Sequence, residues 1–141
     1  MEELKKYLEQ DGVLGVVRSI KGDVRFFRHR GIFDLFNLLE TDPGFMSEGT
    51  MADKVIGRGA ALLLVKGGIA KVYARLISLP AIEVLEKNGI PVTFDKQVPH
   101  IINRDGTDIC PVEKLTSHTS DPEEAFYLIA DFVQRMNKTK Q

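Results

Sequence analysis

The stretch Thr50–Gly68, TMADKVIGRGAALLLVKGG, is apolar or small on nearly every side from Met51 to Val65 and closes on Lys66-Gly67-Gly68. A segment that is apolar all round is buried rather than amphipathic, so this one lies at the centre of the fold. It reads as a helix. Thr50, with Asp53 three residues on, resembles a capping box with Asp in place of the usual Glu. Gly57, Gly59, Ala60 and Ala61 weaken a helix intrinsically, and close approach to a sheet is the compensation expected for them. The next segment, Ala70–Ile77, reads as a strand. Buried helices alternating with buried strands are the units of layered α/β domains.

The flanks extend this pattern. Met1–Gln10 reads as a short amphipathic helix with Leu4, Tyr7 and Leu8 on one face. Val13–Ser19 and Val24–His29 read as a hairpin around Lys21-Gly22-Asp23. Past Gly31, the residues Ile32, Leu35, Phe36 and Leu39 recur at helical spacing until Asp42-Pro43-Gly44. Downstream, Pro80–Lys87 reads as a helix stopped by Asn88-Gly89. Val92–Phe94 and Val98–Ile102 read as two short strands, and Asp105-Gly106 as a turn. Pro111 favours the first helical position, so a short helix opens at Cys110. Ser120, Pro122 and Glu123 start the last helix, whose stripe is Ala125, Phe126, Ile129, Phe132, Val133 and Met136. The expectation is a single domain over 1–141, with a core at about 13–115 and a C-terminal helix at about 121–137.

Composition narrows the function. A net charge of −1 argues against a general nucleic-acid binder. Arg18, Lys21, Arg25, Arg28 and Arg30 do interleave with Phe26, Phe27 and His29 in the hairpin, a pattern that can grip a single strand. A solvated face with the phenylalanines turned inward fits a near-neutral chain better. The N-terminus, MEELKKYLEQ, lacks the apolar stretch of a secretory signal. The longest apolar run, Ala60–Val65, is too short to cross a bilayer. A lone cysteine excludes an internal disulfide. A cytoplasmic protein with no membrane partner is expected.

That cysteine is the best hint of chemistry. Cys110 falls at the N-cap of its helix and Glu113 at the third helical position, where a carboxylate reaches back to cap. The partial positive charge of a helix start favours a thiolate. Cys110 is thus the candidate nucleophile and Glu113 the candidate acid/base, with Lys54 and Arg104 as candidate cations. Asn103 or Arg104 could hold a carboxylate or phosphate at a strand end. The alternative is a non-catalytic small-molecule or nucleotide-binding module lined by Asp53, Lys54, Ser78, Asn103 and Arg104, with Ser78 just before Pro80 where helix-start amides bind anions.

No cofactor or metal site is expected. His29, His100 and His118 share no ligand spacing and read as exposed or turn residues. Gly57-Arg58-Gly59-Ala60-Ala61-Leu62 lacks the third small residue of a dinucleotide fingerprint, and no strand is read closely before it.

Three segments in order, Ala52-Asp53-Lys54-Val55-Ile56-Gly57, Ile101-Ile102-Asn103-Arg104 and Cys110-Pro111-Val112-Glu113, resemble the family catalogued as domain of unknown function 1893, placed in the cytidine-deaminase-like superfamily. The resemblance runs from about Val13 to Leu115. It implies a three-layer α/β/α fold with a mixed sheet, no established activity, and room for a homodimer. Zinc deaminases place His or Cys, then Ala-Glu, at the start of a buried helix, and Pro-Cys-x-x-Cys at the next. Here Met51-Ala52-Asp53-Lys54 holds no such ligand, and Ala81 and Val84 stand where the two cysteines would be. Neither can ligate metal, so zinc-dependent deamination is not expected. A small polar molecule remains the expected ligand.

Overall fold

The computed structural model describes residues 1–29, 32–102, 106 and 108–139. Its elements in chain order are α1 (Glu2–Tyr7), β1 (Gly15–Arg18), β2 (Val24–Phe27), α2 (Phe33–Thr41), β3 (Thr50–Ile56), α3 (Arg58–Gly67), β4 (Lys71–Ser78), α4 (Leu79–Lys87), β5 (Val92–Val98), α5 (Pro111–Leu115) and α6 (Pro122–Thr139). The five strands form one mixed sheet in the order β2-β1-β3-β4-β5. β1 is antiparallel to both of its neighbours, whereas β3, β4 and β5 run parallel. This is an α/β fold.

The stretch Thr50–Gly68 divides in two. Thr50–Ile56 is a central strand, not the first half of a helix, and the helix begins only at Arg58. A strand flanked on both sides in a sheet and covered on both faces carries a near-continuous apolar run, which periodicity alone cannot separate from a buried helix. Gly57 is the break: it has extended backbone and caps α3 by accepting the Ala61 N–H at 3.0 Å. The expected capping box at Thr50 and Asp53 therefore does not form. Thr50 pairs with Arg18 and Lys71, and Asp53 with Gly15 and Ala74. A strand also does precede Gly57-Arg58-Gly59 directly. At those glycines the neighbours pack close: a Cβ on Gly59 would stand 2.4 Å from Val112 Cγ1, and one on Gly57 3.1 Å from Glu113 Oε2.

The two short strands expected at Val92–Phe94 and Val98–Ile102 are also replaced. One strand, Val92–Val98, runs straight through Asp95-Lys96-Gln97, and Ile102 makes only an isolated bridge to Ile109. β5 is an edge strand with both faces largely open to water, so it tolerates polar residues that look like a turn.

The sheet is covered unequally. Val17, Met51, Val72 and Ala74 pack on the face shared with α2, α3, α4 and α6, and Ile56 and Ile77 near the strand ends belong to the same cluster. The other face buries Val16, Ala52 and Tyr73 under Leu4 and Leu8 of the α1 region, a helix of only six residues. There Lys5 Nζ sits 4.4 Å over the Tyr73 ring, and the Tyr73 hydroxyl donates to Asp95 Oδ2 at 2.6 Å. Loss of water from the phenol, followed by that carboxylate, pushes Tyr73 up to about 12. In the hairpin, Arg18 pairs with Glu3 and Arg25 with Asp42, while Phe27 is buried and Phe26 packs edge-on against Tyr7. Arg30 and Gly31 lie outside the described residues. Among the described residues no helix is long and apolar enough to cross a membrane.

Candidate functional site

Parallel strands place the starts of their following helices along one rim of the sheet, and open α/β sheets bind ligands at that rim. Here the rim carries Gly57 at the start of α3, Ser78 at the start of α4, and the end of β5. Ser78 is fully buried and its Oγ accepts the Ala81 N–H at 3.2 Å, so it caps α4. Replacing Ser78 by Ala removes that acceptor and is expected to cost about 1–2 kcal/mol, read from the denaturant midpoint.

Beyond β5 the chain doubles back. Ile102 bridges Ile109, and the Cys110 N–H donates to the Ile101 carbonyl at 2.7 Å. This return delivers α5, with Cys110 at its N-cap and Pro111 at its first position, as the sequence pattern predicts. The capping detail differs. Glu113 does not reach back to Cys110, whose N–H is already taken. Its Oε2 instead accepts the Ile101 N–H at 2.8 Å. Glu113 thereby ties α5 to the returning segment beside the start of α3.

Glu113 stands out among the described residues. Its side chain is 3% exposed, and Oε1 has no hydrogen-bond partner among the described residues. A buried carboxylate oxygen left unpaired costs free energy, so its position calls for a reason. A candidate partner is His100, whose Nδ1 lies 4.0 Å away and whose side chain is 47% exposed. A ring movement of about 1 Å would close a hydrogen bond. Both residues line a pocket of about 340 Å³ together with Arg58, Pro80, Glu83, Ile109, Lys114 and Ser117. Lys114 is held by Asp108 in an ion pair, which keeps the Asp108 carboxyl below its usual range.

The other sequence candidates scatter. Cys110 is a half-buried free thiol that does not line this pocket. Asp53 and Lys54 sit within β3, away from the pocket lining, and Ser78 is engaged as the cap of α4 and does not line it either. Asp53 has its own character: burial, chiefly, raises its carboxyl to about 7. Asn103, Arg104 and the Asp105 of the expected turn lie outside the described residues. The sequence pattern does not point to His100 or Arg58. His100 is separated from Glu113 by a loop, and only the return of Ile101–Ile102 onto Ile109–Cys110 joins them. The apolar positions flanking Asp105-Gly106 are the one signal for that return.

The donor set at the helix starts does not fit a zinc site. α3 opens on Gly57, Arg58 and Gly59, and Ala81 and Val84 of α4 are buried apolar residues. Among the described residues no group of three or more His, Cys, Asp or Glu could hold a metal ion.

The chain matches, over residues 3–133, the family described as TM1506, domain of unknown function (DUF1893). The chain belongs to the DUF1893 family. The match is wider than the segment legible from the three sequence motifs and takes in α1 and most of α6. A solved DUF1893 family protein (TM1506) from Thermotoga maritima is similar at 24% identity, with 92% of this chain and 87% of that one covered and a TM-score of 0.83. At that identity the likeness speaks for the fold alone. No curated protein matches the chain.

Proposed function

We propose that this DUF1893 protein binds a small polar molecule in the Glu113 pocket, with His100 and Glu113 acting there as a proton-transfer pair. The observation that carries the reading is Glu113 Oε1, unpartnered among the described residues, buried, and 4.0 Å from His100 Nδ1 in a pocket large enough for a small molecule. A histidine whose Nδ1–H is held by a carboxylate presents its other nitrogen as a base. His100 Nε2 accepts a proton from the ligand, and the Glu113 carboxylate stabilises the imidazolium that forms. This is metal-independent chemistry. The placement in the cytidine-deaminase-like superfamily belongs to the same proposal, supported by two buried helices that start at one rim of a mixed sheet.

The reading is tested by a thermal-shift screen of small polar metabolites against the wild-type chain and Glu113→Gln. Compounds that stabilise the wild type are expected to lose about tenfold or more in affinity for the variant. Compounds that stabilise both equally, or an empty screen, would contradict it.

A second reading keeps Cys110 as nucleophile, with Glu113 as acid/base. It is favoured by the half-exposed thiol sitting one residue before α5 and hydrogen-bonded through its backbone to Ile101, the neighbour of His100. If a ligand found in the screen is turned over, Cys110→Ser abolishes turnover on this reading and leaves it intact on the first.

A further inference from the structure

The pocket also constrains the charge of what enters it. Arg58, the first residue of α3, lines it. Its Nε donates to the Thr116 carbonyl at 2.9 Å, and its Nη2 to the Thr119 carbonyl and to Ser120 Oγ. All three acceptors are neutral. Among the described residues no ion pair involves Arg58, whereas Lys114, the other cation of the pocket, is already neutralised by Asp108. A guanidinium has five N–H donors; three are engaged, and the two on Nη1 have no partner among the described residues. The group is held rigidly by the α5–α6 connection, and a fixed guanidinium is preorganised for planar oxyanions. Glu113 Oε1 supplies the opposite requirement, because it lacks a donor among the described residues. The two groups therefore ask for a ligand that is acidic at one end and proton-bearing at the other.

We propose that the ligand is a small organic acid, whose carboxylate or phosphate docks on Arg58 while its proton-bearing end faces His100 and Glu113. This rests on the functional reading of the pocket above. Glu83 also lines the pocket but is exposed to water, where its repulsion of an anion is screened.

The test is a titration of the full ¹⁵N-labelled chain with sodium acetate, sodium phosphate, acetamide and ethylammonium chloride at constant ionic strength. Acetate or phosphate is expected to give saturable shifts at the Arg58 Nε–H and at the His100 and Glu113 amides, and the tighter of the two identifies the acid group. Acetamide and ethylammonium are expected to leave those signals in place. Arg58→Gln should weaken the anion by about tenfold or more, while Lys21→Gln, the same charge lost at the β1–β2 turn, changes nothing. Should Arg58→Gln not fold, Arg58→Lys keeps the charge, loses the fork and should weaken the anion as well. Anion shifts confined to surface lysines overturn the proposal. Saturation by acetamide or ethylammonium instead overturns the acid class and leaves the pocket reading standing. No shift at the pocket with any of the four overturns both.

Discussion

Replacing Asp53 by Asn is expected to stabilise the fold at pH 8 by about 2–4 kcal/mol, from a carboxyl raised from 3.8 to about 7. The sign follows from proton binding. Between those two values the folded chain holds a proton on Asp53 that the unfolded chain has released. Wild-type stability therefore falls as pH rises from about 4 to about 7 and levels off above. Burial is the largest cause of the shift, with the negative charge of Asp34 adding to it and Lys54 opposing it. Hydrogen bonds from the Val55 and Lys54 amides also oppose it. Asp53 keeps part of its surface in water, which favours the lower half of the range. An Asn side chain retains an oxygen for the Val55 N–H, which Asp53 Oδ1 accepts at 3.2 Å. Urea midpoints of both proteins from pH 4 to 9 decide the matter. The wild-type curve should slope, and that of the Asp53→Asn variant should flatten. A variant less stable than wild type at pH 8 would contradict the assignment.

Gly49→Ala is expected to have the opposite and larger effect. A Cβ at position 49 would stand 2.5 Å from the Arg18 carbonyl oxygen and 3.0 Å from that of Met46. Both are backbone atoms, one on β1 and one in the connection leading to β3, so neither can rotate aside. The Gly49 N–H also donates to the Met46 carbonyl at 2.9 Å, and its carbonyl accepts the Ala70 N–H at 2.9 Å. Relieving the clash means breaking these bonds at the start of the central strand. The cost should be about 3–5 kcal/mol, at the severe end of single substitutions. Gly44→Ala provides the control, since nothing lies within 4 Å of its added methyl. Calorimetry should show a large fall in Tm for the first and almost none for the second.

Much of the fold was legible. Apolar spacing located α2, α4 and α6, the hairpin of β1 and β2, and β4, because each buries one face or is bounded by Gly, Pro or Asn. β3 was not, because a central strand and a buried helix share one signature when the run is long enough for either. Gly57 carries the boundary, but its role as an N-cap depends on the sheet ending at Ile56. The site was half legible. Pro111 put Cys110 at the N-cap of α5 and Glu113 at its third residue, as observed. That placement could not say that Glu113 Oε2 would bind Ile101, nor that Oε1 would be left without a partner among the described residues. Those facts depend on the return of the chain after β5, a contact between segments that local pattern does not encode. Arg58 was hidden for the same reason: its partners, Thr116, Thr119 and Ser120, lie about sixty residues downstream.

The role proposed for Glu113 is to hold His100 as a base in the pocket. The most direct test is the tautomer of the His100 ring, read from long-range ¹H–¹⁵N correlations at a pH where the imidazole is neutral, in the wild type and in Glu113→Gln. The account predicts the Nδ1–H tautomer in the wild type, with Nε2 unprotonated and facing the pocket. It also predicts loss of that preference in the Glu113→Gln variant. An Nε2–H tautomer in the wild type, unchanged by the substitution, would contradict it.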